Sequence, residues 1–205
     1  LLLSRVNTTA IPTNGGSNQS AGAIGAALQY YPTIPVRRPD GTFTLLADDG
    51  PAALTPSTVP NPVSLVQDVT DLLGDTRVLS NVFGEYTVMK GLVLRISGGA
   101  DYSSRWRDTY YPRTTLQGRG VDGEARRGRN EQLGLLNENT LAYQTSLGSF
   151  GTVNALGGYS RQKQTTTTSN MINSNYVSDL TNFEDFGSGA RPNGPSVTTG
   201  RNDFT

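Results

Sequence analysis

The amino-acid sequence predicts an all-β chain of long antiparallel strand pairs, and three observations carry that prediction. Two runs between about residues 77 and 104 alternate strictly between smooth and mixed positions, and a second pair at about 138–163 repeats the pattern. Apolar content is only 35%, and glycine supplies 24 of 205 residues. That balance suits a turn-rich chain whose strands keep one face polar. Third, the connections are lopsided: tight turns join the strands of each pair, and long polar segments separate the pairs.

Taken in order, Leu1-Leu2-Leu3-Ser4-Arg5-Val6 reads as the far end of a strand. Polar loop follows, with Pro12, Gly15 and Gly16. Ser20 is placed to cap a short helix from Ala21 to Tyr30, which Pro32 would close. Pro39-Asp40-Gly41 is a turn signal between Ile34–Arg38 and Thr42–Leu45, so a small hairpin is expected there. A Pro-rich connection then leads to Asn61-Pro62-Val63-Ser64-Leu65-Val66, expected to form one turn of helix. A connection of roughly sixty residues exceeds what a structural link requires, and such loops are usually functional.

In the first pair, Val78, Ser80, Val82, Gly84, Tyr86 and Val88 share one face. Beyond a turn at Met89-Lys90-Gly91, Leu92, Leu94, Ile96, Gly98, Ala100 and Tyr102 continue it. The other face holds Arg77, Asn81, Glu85, Arg95, Ser97 and Asp101. Period 2 defines strands, and each run of roughly 11 residues suffices for a tilted strand to cross a bilayer. In the second pair, Leu141, Tyr143, Thr145 and Leu147, then Val153, Ala155, Gly157 and Tyr159, take the smooth face around the turn Gly148-Ser149-Phe150-Gly151. Long loops are expected at about 7–75, 105–137 and 164–205.

Composition excludes several classes. With 17 basic and 17 acidic residues, net charge offers no argument for a nucleic-acid partner. Cysteine and histidine are both absent, which removes disulfides, thiolate metal sites and the usual general base. No apolar run has the length of a transmembrane helix. The opening lacks Met and a charged leader, so the chain is expected to be an internal piece of a longer protein.

Short turns at one end and long loops at the other are the layout of outer-membrane barrels. Tyr86, Tyr102, Trp106, Tyr143 and Tyr159, near strand ends, are candidates for aromatic girdles. Tyrosine is common in any strand, so the pattern alone leaves a membrane barrel and a soluble β domain both open.

Particular residues then point to a family. Asn61-Pro62-Val63, Asp68-Val69-Thr70-Asp71, Arg77-Val78-Leu79-Ser80-Asn81 with Glu85-Tyr86, and Lys90-Gly91-Leu92 leading to Ser97-Gly98-Gly99-Ala100-Asp101-Tyr102 occur in that order. Leu3-Ser4-Arg5, Ala27-Leu28, Tyr31-Pro32 and Tyr110-Tyr111-Pro112 fit the same series. Over about residues 1–165 this resembles the barrel region of SusC/RagA-like TonB-dependent receptors. The resemblance implies a partial β-barrel domain, part of a 22-stranded transmembrane barrel with long extracellular loops and one short helix. It implies import of oligosaccharides or peptides across the outer membrane of a Gram-negative bacterium. Implied partners are a SusD-like surface lipoprotein, the TonB complex acting through a plug that would lie upstream, and outer-membrane lipid. Four strands cannot close a barrel and would leave bare edges in isolation.

The remaining chemistry is slight. Gly118 to Gly123 matches G-x-G-x-x-G without the flanking strand and helix of a dinucleotide site. Glu85 and Asp101 could suggest a hydrolytic carboxylate pair, but Arg77 and Arg95 share their face, and charge pairing in a wet lumen accounts for them. No catalytic residue, metal site or cofactor is expected. Trp106, Arg107, Tyr110, Tyr111 and Arg113, in an arginine-rich stretch, are the candidate ligand- or partner-facing loop residues. Arg77, Asn81, Glu85, Arg95 and Asp101 are the candidate lumen-facing set. The alternative is a soluble, secreted β-rich glycan-binding module, with a secreted glycan-active enzyme behind it.

Overall fold

A computed structural model describes residues 1–13, 22–50 and 58–205. Among them, six strands form a single antiparallel sheet in sequence order: β1 (Leu2–Thr9), β2 (Thr70–Met89), β3 (Leu92–Tyr111), β4 (Glu124–Ser146), β5 (Thr152–Ser174) and β6 (Arg191–Phe204). Short helices lie in the connections: α1 (Ala23–Gln29), α2 (Leu46–Asp49), α3 (Pro62–Gln67) and α4 (Leu116–Arg119). None of the described helices is long and apolar enough to cross a membrane, which says nothing about strands.

The strands outrun the limits that alternation suggests. β3 continues to Tyr111, and β4 begins at Glu124 inside the expected loop. β5 continues to Ser174, and the expected terminal loop contains β6. The physical reason is that ladder hydrogen bonds need no apolar face. Where polar residues occupy both strands, as along Thr166–Thr168 paired with Gln132, Glu131 and Asn130 of β4, they pair just as well. The long connections shrink to residues 10–69, 112–123 and 175–190, all at one end of the sheet. At the other end, Lys90–Gly91 joins β2 to β3, and residues 147–151 join β4 to β5. Gly91 has φ 83°, and a Cβ there would lie 2.1 Å from the Gln144 carbonyl oxygen. Only glycine fits.

Inside the first connection, α1 follows Gly22 at its N-cap, while Ser20, expected as the cap, lies outside the described residues. Asp40 accepts from the Thr42 backbone at 2.9 Å and Arg38 N–H donates to Thr42 O at 2.8 Å, closing the Pro39-Asp40-Gly41 turn. Asn61, fully buried, caps α3 with its Oδ1 and donates through Nδ2 to Val36 O (2.9 Å) and Thr44 O (3.1 Å). The two small apolar cores sit under these connections. Ala23 and Ala26 of α1 meet Leu65 and Val69, and Tyr110 meets Ala125 and Tyr176. Among the described residues, the sheet between the connections and the turns has no such cover.

Candidate functional site

Pairing register assigns every strand residue to one of two faces, because directly opposed residues point the same way. Arg77 pairs with Ser103, Val78 with Tyr102, Leu94 with Leu141, and Leu141 with Gly157. One face therefore collects Val78, Val82, Tyr86, Leu92, Leu94, Ile96, Leu135, Leu141, Tyr143, Val153 and Tyr159. Val82 is 72% exposed and Tyr86 68% exposed, and no second sheet of the described residues lies over them. A soluble domain would cover such a stripe. Asn137 and Asn139 interrupt it on β4, with their amide donors satisfied by Ser97 O (3.1 Å) and the Asn137 side chain (2.7 Å).

All five girdle candidates fall on this face. Tyr86, Tyr143 and Tyr159 stand toward the turn end, and Tyr102 and Trp106 toward the long connections. Between Leu92, opposite Tyr143, and Tyr102 the strand runs about 33 Å at ~3.3 Å per residue. Tilted by roughly 35–45°, as strands of outer-membrane barrels are, this spans about 25 Å, the height of their apolar band.

The opposite face is a ladder of ion pairs. Arg77 grips Asp101 bidentately, with Nε at 3.0 Å and Nη2 at 2.6 Å. Arg105 Nε is 2.5 Å from Asp75, and Arg95 lies 3.6 Å from Glu85. Glu85 and Asp101 are thus each neutralised by an arginine and are not a free carboxylate pair. Higher up, Asp71 is fully buried; it accepts from Arg107 Nε (2.8 Å) and Nη2 (2.5 Å) and from the Thr109 hydroxyl (3.0 Å). A groove of ≈ 380 Å³ runs along this face, lined by Arg77, Asn81, Asp101, Gln132, Gln162 and Gln164 among others. Arg77, Asn81, Glu85, Arg95 and Asp101, named from alternation, therefore share one surface, and all but Glu85 and Arg95 line its groove.

The second candidate set lies differently. Trp106, Arg107, Tyr110 and Tyr111 belong to β3 and not to a loop; only Arg113 is in the connection. Trp106 is on the apolar face, with Arg129 over its ring at 5.6 Å. Tyr110, 1% exposed, packs edge-on to Tyr176 at 5.6 Å and donates to Asp179 at 2.7 Å. Tyr111 packs against the α1–α3 core, and Arg113 donates to the Tyr176 carbonyl. These aromatic residues build the base of the connections. Sequence reasoning missed Tyr176, Asp179, Phe183 and Phe186; the only signal was three aromatic residues in an otherwise polar stretch. The G-x-G-x-x-G run forms α4 and a turn at Gly123 (φ 86°) that leads into β4, not into a helix.

Outside the strands, ionisation follows local partners. Hydrogen bonds from Arg38 hold the Asp49 carboxyl below the ordinary carboxylate range, and the Thr42 hydroxyl does the same for Asp40. Burial raises the Tyr30 phenol. Among the described residues no cluster of acidic side chains could hold a metal ion.

A single sheet with one bare apolar face, aromatic residues at both of its margins and charges on the other face has the pattern of a membrane β-barrel wall. Comparison with known proteins agrees. The chain is 29% identical over 150 residues to the TonB-dependent receptor P3 of Formosa agariphila, covering 72% of this chain and 14% of that protein. It superposes on the structure of the RagAB peptide transporter with a TM-score of 0.67 and 15% identity, over 97% of this chain and 22% of that one. No family model matches. The structural likeness shows a shared fold, and the chain spans less than a quarter of either relative.

Proposed function

We propose that this chain supplies barrel wall and extracellular loops to a TonB-dependent importer of oligosaccharides or peptides in the outer membrane of a Gram-negative bacterium. The observation that carries the reading is the opposition of faces: an uncovered apolar band with aromatic margins, backed by a ladder of ion pairs. In this reading the band faces lipid, and Arg77, Asn81, Glu85, Arg95 and Asp101 face the lumen of a 22-stranded barrel. Lys90–Gly91 marks the periplasmic rim, and the long connections face outward, toward a SusD-like lipoprotein. The lumen face pairs most of its charges internally and is rich in amides and hydroxyls, among them Gln132, Gln162, Gln164, Thr166 and Thr168. Such a surface suits uncharged, hydrogen-bonding cargo. Force would come from the TonB complex through a plug, so no residue here acts as a catalyst.

Because the chain has no cysteine, introduced thiols report the faces directly. Asn81→Cys and Ser97→Cys in the intact outer-membrane protein are expected to react with a membrane-impermeant maleimide, and Val82→Cys and Ile96→Cys to resist it. Labelling of all four, or recovery of a folded monomer without detergent, would favour the soluble glycan-binding module and sink the importer.

A further inference from the structure

On the apolar face a groove of ≈ 460 Å³ crosses from β2 to β5. Ser80, Gly98 and Ala100 make a floor without bulky side chains, Val82 and Leu135 flank it, and Arg161 and Lys163 stand at one end. Small residues on three adjacent positions leave a depression the width of an alkyl chain.

Depth decides what that end can meet. Gln144 N–H donates to Gly91 O at 2.7 Å, so β4 at this point is level with the first turn, yet the second hairpin continues to Ser146 paired with Thr152. For both turns to lie at one membrane rim, rows of paired residues must climb toward the long connections in going from β3 to β5. Two strand spacings of about 4.8 Å at a tilt of roughly 35–45° raise the row by about 6 Å. Ala100, Leu135 and Lys163 form one such row. Lys163 therefore reaches the depth of Tyr102, at the outer margin of the band, while the groove descends from it into the apolar zone.

The charge at this margin is unbalanced. Arg161 donates to Asp203 from Nη2 at 2.8 Å and Nε at 3.2 Å. Lys163 is directly opposite Asp203, and Arg201 is the next residue of β6 on the same face. Three cations thus surround one carboxylate; the next outward carboxylate, Glu131, stands on β4 nearer the connections.

We infer that this groove binds a phosphorylated, acylated lipid of the outer leaflet, an acyl chain lying on Ser80, Gly98 and Ala100 and its phosphate meeting Lys163 and Arg161. The inference rests on the membrane reading above. A second copy of the chain is a poorer occupant, since a self-complementary contact would set two cationic margins near each other.

The test is native mass spectrometry of the intact outer-membrane protein in neutral detergent, titrated with diphosphoryl lipid A, dephosphorylated lipid A and inorganic phosphate. Diphosphoryl lipid A is expected to bind at least about fivefold more tightly than the dephosphorylated form, and inorganic phosphate not at all. The double variant R161Q/K163Q is expected to lose that preference. Ala100→Phe is expected to weaken both lipids alike, and Asp203→Asn, which frees Arg161, to tighten diphosphoryl lipid A about threefold. The last change runs opposite to anything misfolding produces. Equal binding by wild type and R161Q/K163Q, phosphate binding as tight as the lipid, or a dimer that seals the face and takes up no lipid would each overturn the inference. A protein that fails to fractionate with outer membranes would instead overturn the membrane reading itself.

Discussion

The Trp106 indole lies flat across Gly74, its cross-strand partner: a Cβ built on Gly74 would stand 2.1 Å from Trp106 Nε1. The aromatic ring covers backbone that glycine leaves bare, and the absent side chain lets the ring sit at the outer margin of the band. Gly74→Val should evict the indole. The expected result is a loss of about 1–3 kcal/mol, typical of overpacking, with a shift in emission from Trp106, the only tryptophan of the chain. Unchanged emission would mean the ring does not rest there.

Asp71 is fully buried and accepts from Arg107 and Thr109. Arg107→Ala should destabilise the protein by about 1–3 kcal/mol, the cost of leaving a buried acceptor unmet; half-exposure of Arg107 keeps it from the upper range for buried pairs. Arg107→Lys should recover part of the loss, since one of two parallel hydrogen bonds survives. Denaturation midpoints of the three proteins decide.

At Arg77 and Asp101 the side chains are 55% and 40% exposed. Stability should therefore change by less than about 1 kcal/mol when either is removed. Transport should respond more: Asp101→Asn uncovers a cation in the groove and is expected to slow uptake of cationic cargo while sparing neutral cargo. The swap R77D/D101R should behave as wild type. Uptake rates for the wild type and the two variants check this.

Asn61 links two jobs, capping α3 and holding the Val36 and Thr44 carbonyls. Asn61→Ala loses a cap worth about 1 kcal/mol and leaves buried carbonyls unmet at about 1–3 kcal/mol. Hydrogen exchange should accelerate across 22–50 and 58–67 and not in β3 or β4. Uniform acceleration would show that the connection and the sheet unfold together.

Acid should leave the first connection intact until the carboxylates titrate. Arg38 depresses the folded Asp49 carboxyl, so its contribution is present above the unfolded value near ~4 and is lost as pH falls through the lower folded value. Protease resistance of this connection is expected to be flat from neutral pH down to about 4 and to fall only in stronger acid. Asp49→Asn should lower resistance at neutral pH and remove much of the acid dependence.

The strand pair from Val78 to Tyr102 was legible because one face is apolar and the other carries the charges, and only such a strand alternates strongly. The turn at Lys90–Gly91 was legible from its glycine. Where polar residues occupy both faces the signal vanished: Glu124 to Asn130 and Thr165 to Ser174 pair fully yet read as loop. β6 was hidden further by Pro192, Gly194 and Pro195, which an unpaired outer edge tolerates among the described residues. The candidate lumen-facing set came from alternation and shares one face. The aromatic set near Tyr110 was misplaced because composition marks a cluster without telling support from contact.

The three long connections are laced to one another. Thr114 bonds Asp68, Arg119 pairs with Asp48, and the Tyr176 N–H donates to the Asp122 carbonyl at 2.8 Å. Segments far apart in sequence thereby lose their freedom together, so one that swings aside must release the others or stay. Any opening above the sheet would then be a concerted event with a steep energetic threshold, not the wandering of separate flaps.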